Sequence, residues 1–283
     1  MWIDAICINQ ADNVEKSKQI MRMPEIYREA LQVRVWLGEV NQFSDIGMAY
    51  IKELVGQIRL SDSIKVKEER QKVLAFIDLM RSQWFSRRWV VQEILCAKNA
   101  ALHCGANHPV HWSDFILAVA KFMSRLPEIP SDTQTQGIVE LRPGAVDALE
   151  AYGANALTKL DSELRRHDAA FTQQLKPLYY LISQLLPFDA SDPRDTVFAM
   201  YSLVMRTQVP FPEPDYSKSV LDVLSQFVKF SIETKNSLDI ICRLWTPAHP
   251  WLIVRLNYYE TRRVDTILPT WIPQTRQVHL WNA

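Results

Sequence analysis

The stretch Trp84-Phe85-Ser86-Arg87-Arg88-Trp89-Val90-Val91-Gln92-Glu93 sets one carboxylate among two arginines, three aromatic rings and an apolar run. Ser86 has the chemistry of an N-cap, which predicts a helix over 86–98 with Glu93 about two turns inside it. A carboxylate at that depth caps nothing. It is either a solvated helix-surface group, salt-bridged to Arg87 or Arg88, or an acid aimed into an apolar cleft where burial perturbs its protonation. Arg88 has the fork geometry to grip a phosphate of a dinucleotide, or simply to pair with an acid. Trp89 is the one tryptophan whose position suits a site as well as a core.

A second group of candidates lies near the start of the chain. Trp2-Ile3-Asp4-Ala5-Ile6 reads as a short strand, so Asp4 stands near its carboxyl end, where ligands gather in open α/β sheets. Asn9 and Gln10 follow on the loop, able to hydrogen-bond a ribose or a neighbouring subunit; alternatively they are turn and capping groups. His103, Cys104, His108 and His111 lack the paired spacing of a zinc site, and a β-hairpin explains them better, so no metal site is assigned. No motif selects Cys7, Cys96 or Cys104 as a nucleophile.

These side chains need positioning elements. Asp12-x-x-Glu15 has the form of a capping box, followed by a helical period through Ile20, Met23, Ile26, Tyr27 and Ala30, with a kink or restart expected at Pro24. Val33-Arg34-Val35-Trp36-Leu37 is a second strand, stopped by Gly38. Strand, helix and strand in fewer than about 40 residues predict a βαβ unit whose two strands are parallel neighbours. Helices are expected over 46–59, 66–81 and 113–126, and a hairpin over 101–112. Residues 127–143, rich in Ser, Thr, Gln, Glu and Pro, read as a linker. Beyond it, 144–283 reads as a mainly helical region packed on the first, with helices over 145–167 and 172–186, from Asp192, and from Ser217. Residues 238–283 read as irregular.

Composition narrows the function. Lys+Arg and Asp+Glu are both 32 in 283 residues, so there is no basic excess for nucleic acid. Scattered cysteines and a start without a basic-then-apolar signal layout favour a reducing, cytoplasmic setting. No apolar run reaches the roughly 18 residues of a membrane span. With seven glycines and neither common phosphate-loop motif, no bound nucleotide cofactor is expected.

Two blocks carry a family resemblance. Trp2-Ile3-Asp4-Ala5-Ile6-Cys7-Ile8-Asn9-Gln10 through Val35-Trp36-Leu37-Gly38, and Arg88-Trp89-Val90-Val91-Gln92-Glu93, resemble the fungal heterokaryon-incompatibility (HET) domain. Weaker similarity extends to Asp192-Pro193-Arg194-Asp195-Thr196-Val197-Phe198-Ala199, Pro214-Asp215-Tyr216-Ser217 and Leu268-Pro269-Thr270-Trp271-Ile272-Pro273.

The resemblance implies an allorecognition or regulated cell-death effector that acts through self-association, as a homo-oligomer or with other signalling proteins. It also implies a distantly TIR-like fold: an incomplete, flavodoxin-like parallel sheet with flanking helices over 1–126. In catalytic TIR domains a glutamate follows a tryptophan in a W-x-x-x-E arrangement, and Trp89 and Glu93 have that spacing. The implied chemistry is NAD glycohydrolysis, with NAD as substrate, Glu93 catalytic, and Trp89, Arg88, Asp4, Asn9 and Gln10 as substrate contacts. The alternatives are a non-catalytic signalling or assembly module, or an inert truncated product. The family's usual A-L-S-Y-x-W-G-like block before the W-I-D segment does not appear here, so the expectation is an N-terminally truncated domain.

Overall fold

The structure, a computed structural model, describes residues 1–56, 66–106, 108–125, 153–166, 182–204, 211–242, 245–246 and 272. The chain divides into two compact units, one from residues 1–26 and 168–283, the other from 27–167. In chain order the helices and strands are α1 (Asp4–Cys7), α2 (Asn13–Glu29), β1 (Val33–Trp36), α3 (Gln42–Gly56) and α4 (Val66–Met80). Next come α5 (Val90–Cys96), β2 (Ala100–His103), β3 (Val110–His111), α6 (Trp112–Arg125) and α7 (Gly153–Arg166). The last are α8 (Asp195–Phe198), α9 (Tyr201–Val204) and α10 (Val220–Lys235). Short 3-10 turns occupy Gln83–Ser86 and Asp239–Cys242. The expected linker, the helix over 172–181 and most of 247–283 lie outside the described residues.

The fold is α/β, but its sheet differs from expectation. Among the described residues it is small and mixed: β1 lies parallel to β2, and β2 antiparallel to β3. The hairpin read from the sequence is β2–β3. The strand expected at Trp2–Ile6 is instead the single helical turn α1, in which the Cys7 amide donates to the Ile3 carbonyl at 2.8 Å and Ile8 to Asp4 at 3.1 Å. A five-residue apolar run has too little period to separate strand from helix. Ile3 and Ile6, three apart, fit the helical spacing, and both are exposed. The parallel neighbour of β1 is therefore β2, with Val33 opposite Ala100 and Trp36 opposite His103.

The first helix after α1 begins largely as the sequence suggests. Asp12 Oδ1 accepts the Val14 and Glu15 amides at 2.9 and 3.1 Å, satisfying two donors of the opening turn. Glu15 reaches back to the Asn9 amide at 3.2 Å rather than to Asp12, so it ties the preceding loop to the helix. No restart occurs at Pro24; α2 runs through it as one element, with the ring buried.

In the second unit, α3 packs on α4 and α6 around Phe76, whose ring meets those of Tyr50, Phe115 and Phe122 at centroid distances of 6.1, 6.3 and 5.0 Å. Phe85, from the 3-10 turn before α5, stacks on Phe115 at 5.2 Å and 18°. Aromatic packing thus fixes the approach to α5. Lys121 of α6 donates to the Leu54 and Val55 carbonyls at 2.8 and 3.1 Å, satisfying acceptors at the end of α3.

In the first unit, the cap of α10 lies two residues later than Ser217. Ser219 is its cap, accepting the Asp222 amide at 3.1 Å, while Ser217 bonds back to Asp215 through its own amide at 2.9 Å. Phe227 of α10 meets Phe211 and Trp245 at 6.0 and 5.1 Å, giving this unit a separate aromatic core.

Gly47 marks the closest approach of α3 to α4, since a Cβ placed there would lie 2.8 Å from the Ala75 carbonyl oxygen. Removing a glycine from an open helix gains about 1 kcal/mol. Here the backbone neighbour cannot yield, so Gly47→Ala is expected to destabilise by about 1–3 kcal/mol. Urea denaturation measures it; an unchanged or raised midpoint would mean that the two helices pack less closely.

Candidate functional site

The helix carrying Glu93 is shorter than its sequence suggests. Ser86 does not cap it; its hydroxyl donates back to the Gln83 carbonyl at 2.8 Å, closing the preceding 3-10 turn. Arg87 is extended, with φ −74° and ψ 132°, and interrupts the helical path. Helix α5 begins at Val90, so Glu93 stands in its first turn, its amide donating to the Trp89 carbonyl at 3.2 Å. A carboxylate there is favoured by the helix dipole.

All seven residues of α5 are buried, which removes the solvated-surface reading of Glu93. Its exposure is 8%, that of Gln92 is 1% and that of Arg88 is 0%. Trp89 is half-buried beside them. Helix α7 packs against α5 and the 83–86 turn, and contributes further buried polar groups: Asn155, Thr158 and Asp161. At spacings of three, these share one side of the helix. Trp112 Nε1 donates to Asp161 Oδ2 at 3.1 Å, and Thr158 Oγ1 donates to the Asn155 carbonyl at 3.0 Å. Glu93 and Asp161 are the two buried carboxylates described in this unit, and Arg88 its buried cation.

Gln92 is unusual within this group. Among the described residues, neither its amide nitrogen nor its amide oxygen has a hydrogen-bond partner, although the side chain is buried. An amide in that state costs about 1–3 kcal/mol relative to a satisfied one. Stability alone does not account for an amide at this position.

Asp4, Asn9 and Gln10 belong to the first unit, whereas Arg88, Trp89 and Glu93 belong to the second. The structure brings each trio together within its own unit. Hydrogen bonds of the first trio close a loop: Asp4 Oδ1 accepts the Ala5 amide at 2.8 Å, Asn9 Oδ1 the Ala11 amide at 3.1 Å, and Gln10 Nε2 donates to the Asp4 carbonyl at 3.3 Å. Asn9 and Gln10 remain exposed.

A polar cluster in the first unit escaped the reading of candidate site residues. Arg194 forms a bidentate pair with Asp192, with its NH2 nitrogen 2.7 Å from Oδ2 and Nε 3.0 Å from Oδ1. Its NH1 nitrogen donates to the Tyr216 and Lys218 carbonyls at 2.7 and 2.9 Å. The Tyr216 hydroxyl donates to the buried Asp195 carboxylate. The Tyr216 amide donates to Ser17 Oγ of α2 at 3.0 Å, and Lys16 Nζ lies 3.9 Å from the ring centroid. The Asp-Pro-Arg-Asp and Pro-Asp-Tyr-Ser blocks were the available signal; one sequence does not say that they meet each other and α2.

Burial, with the neighbouring Asp195 and its hydrogen bond, pushes the Tyr216 phenol well above its usual range, so it stays a donor. Burial alone would raise Asp192, but the hydrogen bonds and charge of Arg194 outweigh it and hold the carboxyl below the usual carboxylate range.

Residues 1–93 match the model of the heterokaryon incompatibility protein (HET) family, so the resemblance carried by the two sequence blocks is shown for this region. The whole chain aligns with "Heterokaryon incompatibility protein 6, OR allele" of Neurospora crassa, at 24% identity over 324 residues. The chain spans 45% of the length of that relative. No solved structure matches.

Two outcomes follow from the geometry. Gln92→Met, close in shape and without the unsatisfied amide, is expected to stabilise by about 1 kcal/mol in urea denaturation; a loss of stability would show that the amide is satisfied in solution. For Asp192 the folded pKa is depressed, so its contribution is complete above the unfolded value of about 4 and disappears as pH falls through the folded value. Asp192→Asn should therefore be less stable near neutral pH and show a flatter stability profile at acid pH than the natural chain. Parallel profiles would remove the ion pair from the stability of the first unit.

Proposed function

We propose that this chain acts in fungal allorecognition as a regulated cell-death effector that works through self-association, and that its reaction is hydrolysis of NAD at the nicotinamide glycosidic bond. The single observation that carries the reading is the family match over residues 1–93, which ends on Glu93, a carboxylate held in a buried polar cluster. The relative's printed name, a heterokaryon incompatibility protein, supports the same role.

In the proposed reaction the bond between ribose C1′ and the nicotinamide nitrogen breaks, and its electron pair goes to the nitrogen, neutralising the pyridinium. Positive charge develops on the ribose, and the Glu93 carboxylate stabilises it. Water then adds to C1′ and loses a proton to solvent. Arg88 supplies the cation for a phosphate, and half-buried Trp89 a face for a ring. Asp4, Asn9 and Gln10 remain proposed substrate contacts. The TIR-like character of the fold belongs to this proposal, because the active-site analogy rests on the W-x-x-x-E spacing.

A second reading, a non-catalytic signalling or assembly module, is favoured by one observation: Asp4, Asn9 and Gln10 each make a side-chain hydrogen bond that closes their own loop. Nicotinamide release separates the two. The protein incubated with NAD should release nicotinamide, and Glu93→Gln should lower the rate by about 100-fold or more while its circular dichroism shows that it still folds. Equal rates in both, or no release from either at high protein concentration, overturn the enzymatic reading and leave the assembly module.

A further inference from the structure

Among the described strands, β1 has a neighbour on one edge only. The Val33 amide donates to the Asn99 carbonyl at 2.8 Å and the Leu37 amide to the His103 carbonyl at 2.9 Å, so Val33, Val35 and Leu37 turn their backbone groups toward β2. By the alternation of a strand, Arg34 and Trp36 turn theirs the opposite way. Among the described strands, none lies on that side. Both residues are exposed, Trp36 at 51%. An open edge of this kind is a template for another strand.

We propose that the open edge of β1 pairs antiparallel with β1 of a second copy of this chain, on a two-fold axis at Val35. Register follows from which backbone groups are available. Only a centre on Val35 sets Arg34 opposite the second copy's Trp36, and Trp36 opposite the second copy's Arg34, with all four residues offering amide and carbonyl across the axis. Each such pair exchanges two hydrogen bonds, giving four. A centre on Arg34 would oppose two like charges. A centre on Trp36 would require Gly38 to continue the strand, and its φ of +117° takes it out of extended backbone.

The chosen register is also the one with complementary side chains. Residues directly opposite in an antiparallel pair project to the same face, so each Arg34 guanidinium meets a Trp36 indole on the exposed face, a favourable cation–π arrangement made twice. Exposed Leu31 and Val40 flank the strand on either side. The interface is small, so the association is weak and concentration-dependent. It names the partner surface for the self-association proposed above and rests on that reading only for its biological use.

Sedimentation of the full chain across the micromolar range and upward tests it. The mean mass should rise from one chain toward two, and both Trp36→Pro and Arg34→Glu should shift the midpoint to at least about tenfold higher concentration. Proline at 36 removes only the outward amide, which makes no bond to β2, and proline is tolerated on edge strands. If Trp36→Pro fails to fold by circular dichroism, Arg34→Glu decides, since it leaves the backbone intact. A peptide spanning residues 31–38 should compete with dimerisation. A chain that stays monomeric overturns the proposal, and so does peptide binding to a monomeric chain. Dimers that neither variant weakens overturn β1 pairing but leave self-association itself standing, on another surface.

Discussion

Taking a guanidinium wholly out of water is costly by several kcal/mol unless carboxylates and hydrogen bonds surround it, and Arg88 sets that constraint on the second unit. Two carboxylates of the same unit, Glu93 and Asp161, supplied by different helices, are buried as well. Helix α7 brings the second of them, and the bond from Trp112 to Asp161 fixes α7 to the start of α6. Phe85 stacked on Phe115 holds the turn from which Arg88 departs. The aromatic core and the buried polar groups are therefore two sides of one arrangement, in which apolar packing fixes the elements that carry the charged groups.

Within that arrangement Gln92 stands apart, because its amide atoms gain nothing from burial. A core selected for stability alone would place an apolar residue of similar volume there. Its neighbour Glu93 stands in the first turn of α5. A buried acid, a buried cation and an unsatisfied amide within six residues form the kind of polarised group that stability arguments leave unexplained. The site could be found from the Trp89–Glu93 segment because residue types carried it. Its depth could not, because burial of α5 depends on α7, which lies far along the chain.

Elsewhere, legibility followed the range of the interactions. Helices α3, α4 and α6 and the β2–β3 hairpin repeat their apolar residues locally, and the sequence shows that period directly. The partner of β1 was misread because strand pairing is long-range: nothing within residues 1–40 says that Val33 faces Ala100 rather than the Trp2–Ile6 segment. Ser86 was misread for a local reason, its hydroxyl serving the turn behind it instead of the helix ahead. Pro24 does not restart α2, because the packing of a seventeen-residue helix carries it across one lost backbone bond.

Tyr216 changes what the family-matched region can be taken to mean. Residues 1–93 are contiguous in sequence, yet 1–26 fold with 168–283 and the remainder with 27–167. The loop bearing Asn9 is fastened to α2 through Glu15, and α2 is fastened at Ser17 to the Tyr216 amide. Tyr216 is in turn held by Asp195 through its hydroxyl and by Arg194 through its carbonyl. Each step is a directional bond, so the position of the loop is set by residues about 200 positions later in the chain. Any chemistry assigned to Asp4, Asn9 or Gln10 depends on the Asp-Pro-Arg-Asp and Pro-Asp-Tyr-Ser blocks, although neither block touches that loop directly through a described bond.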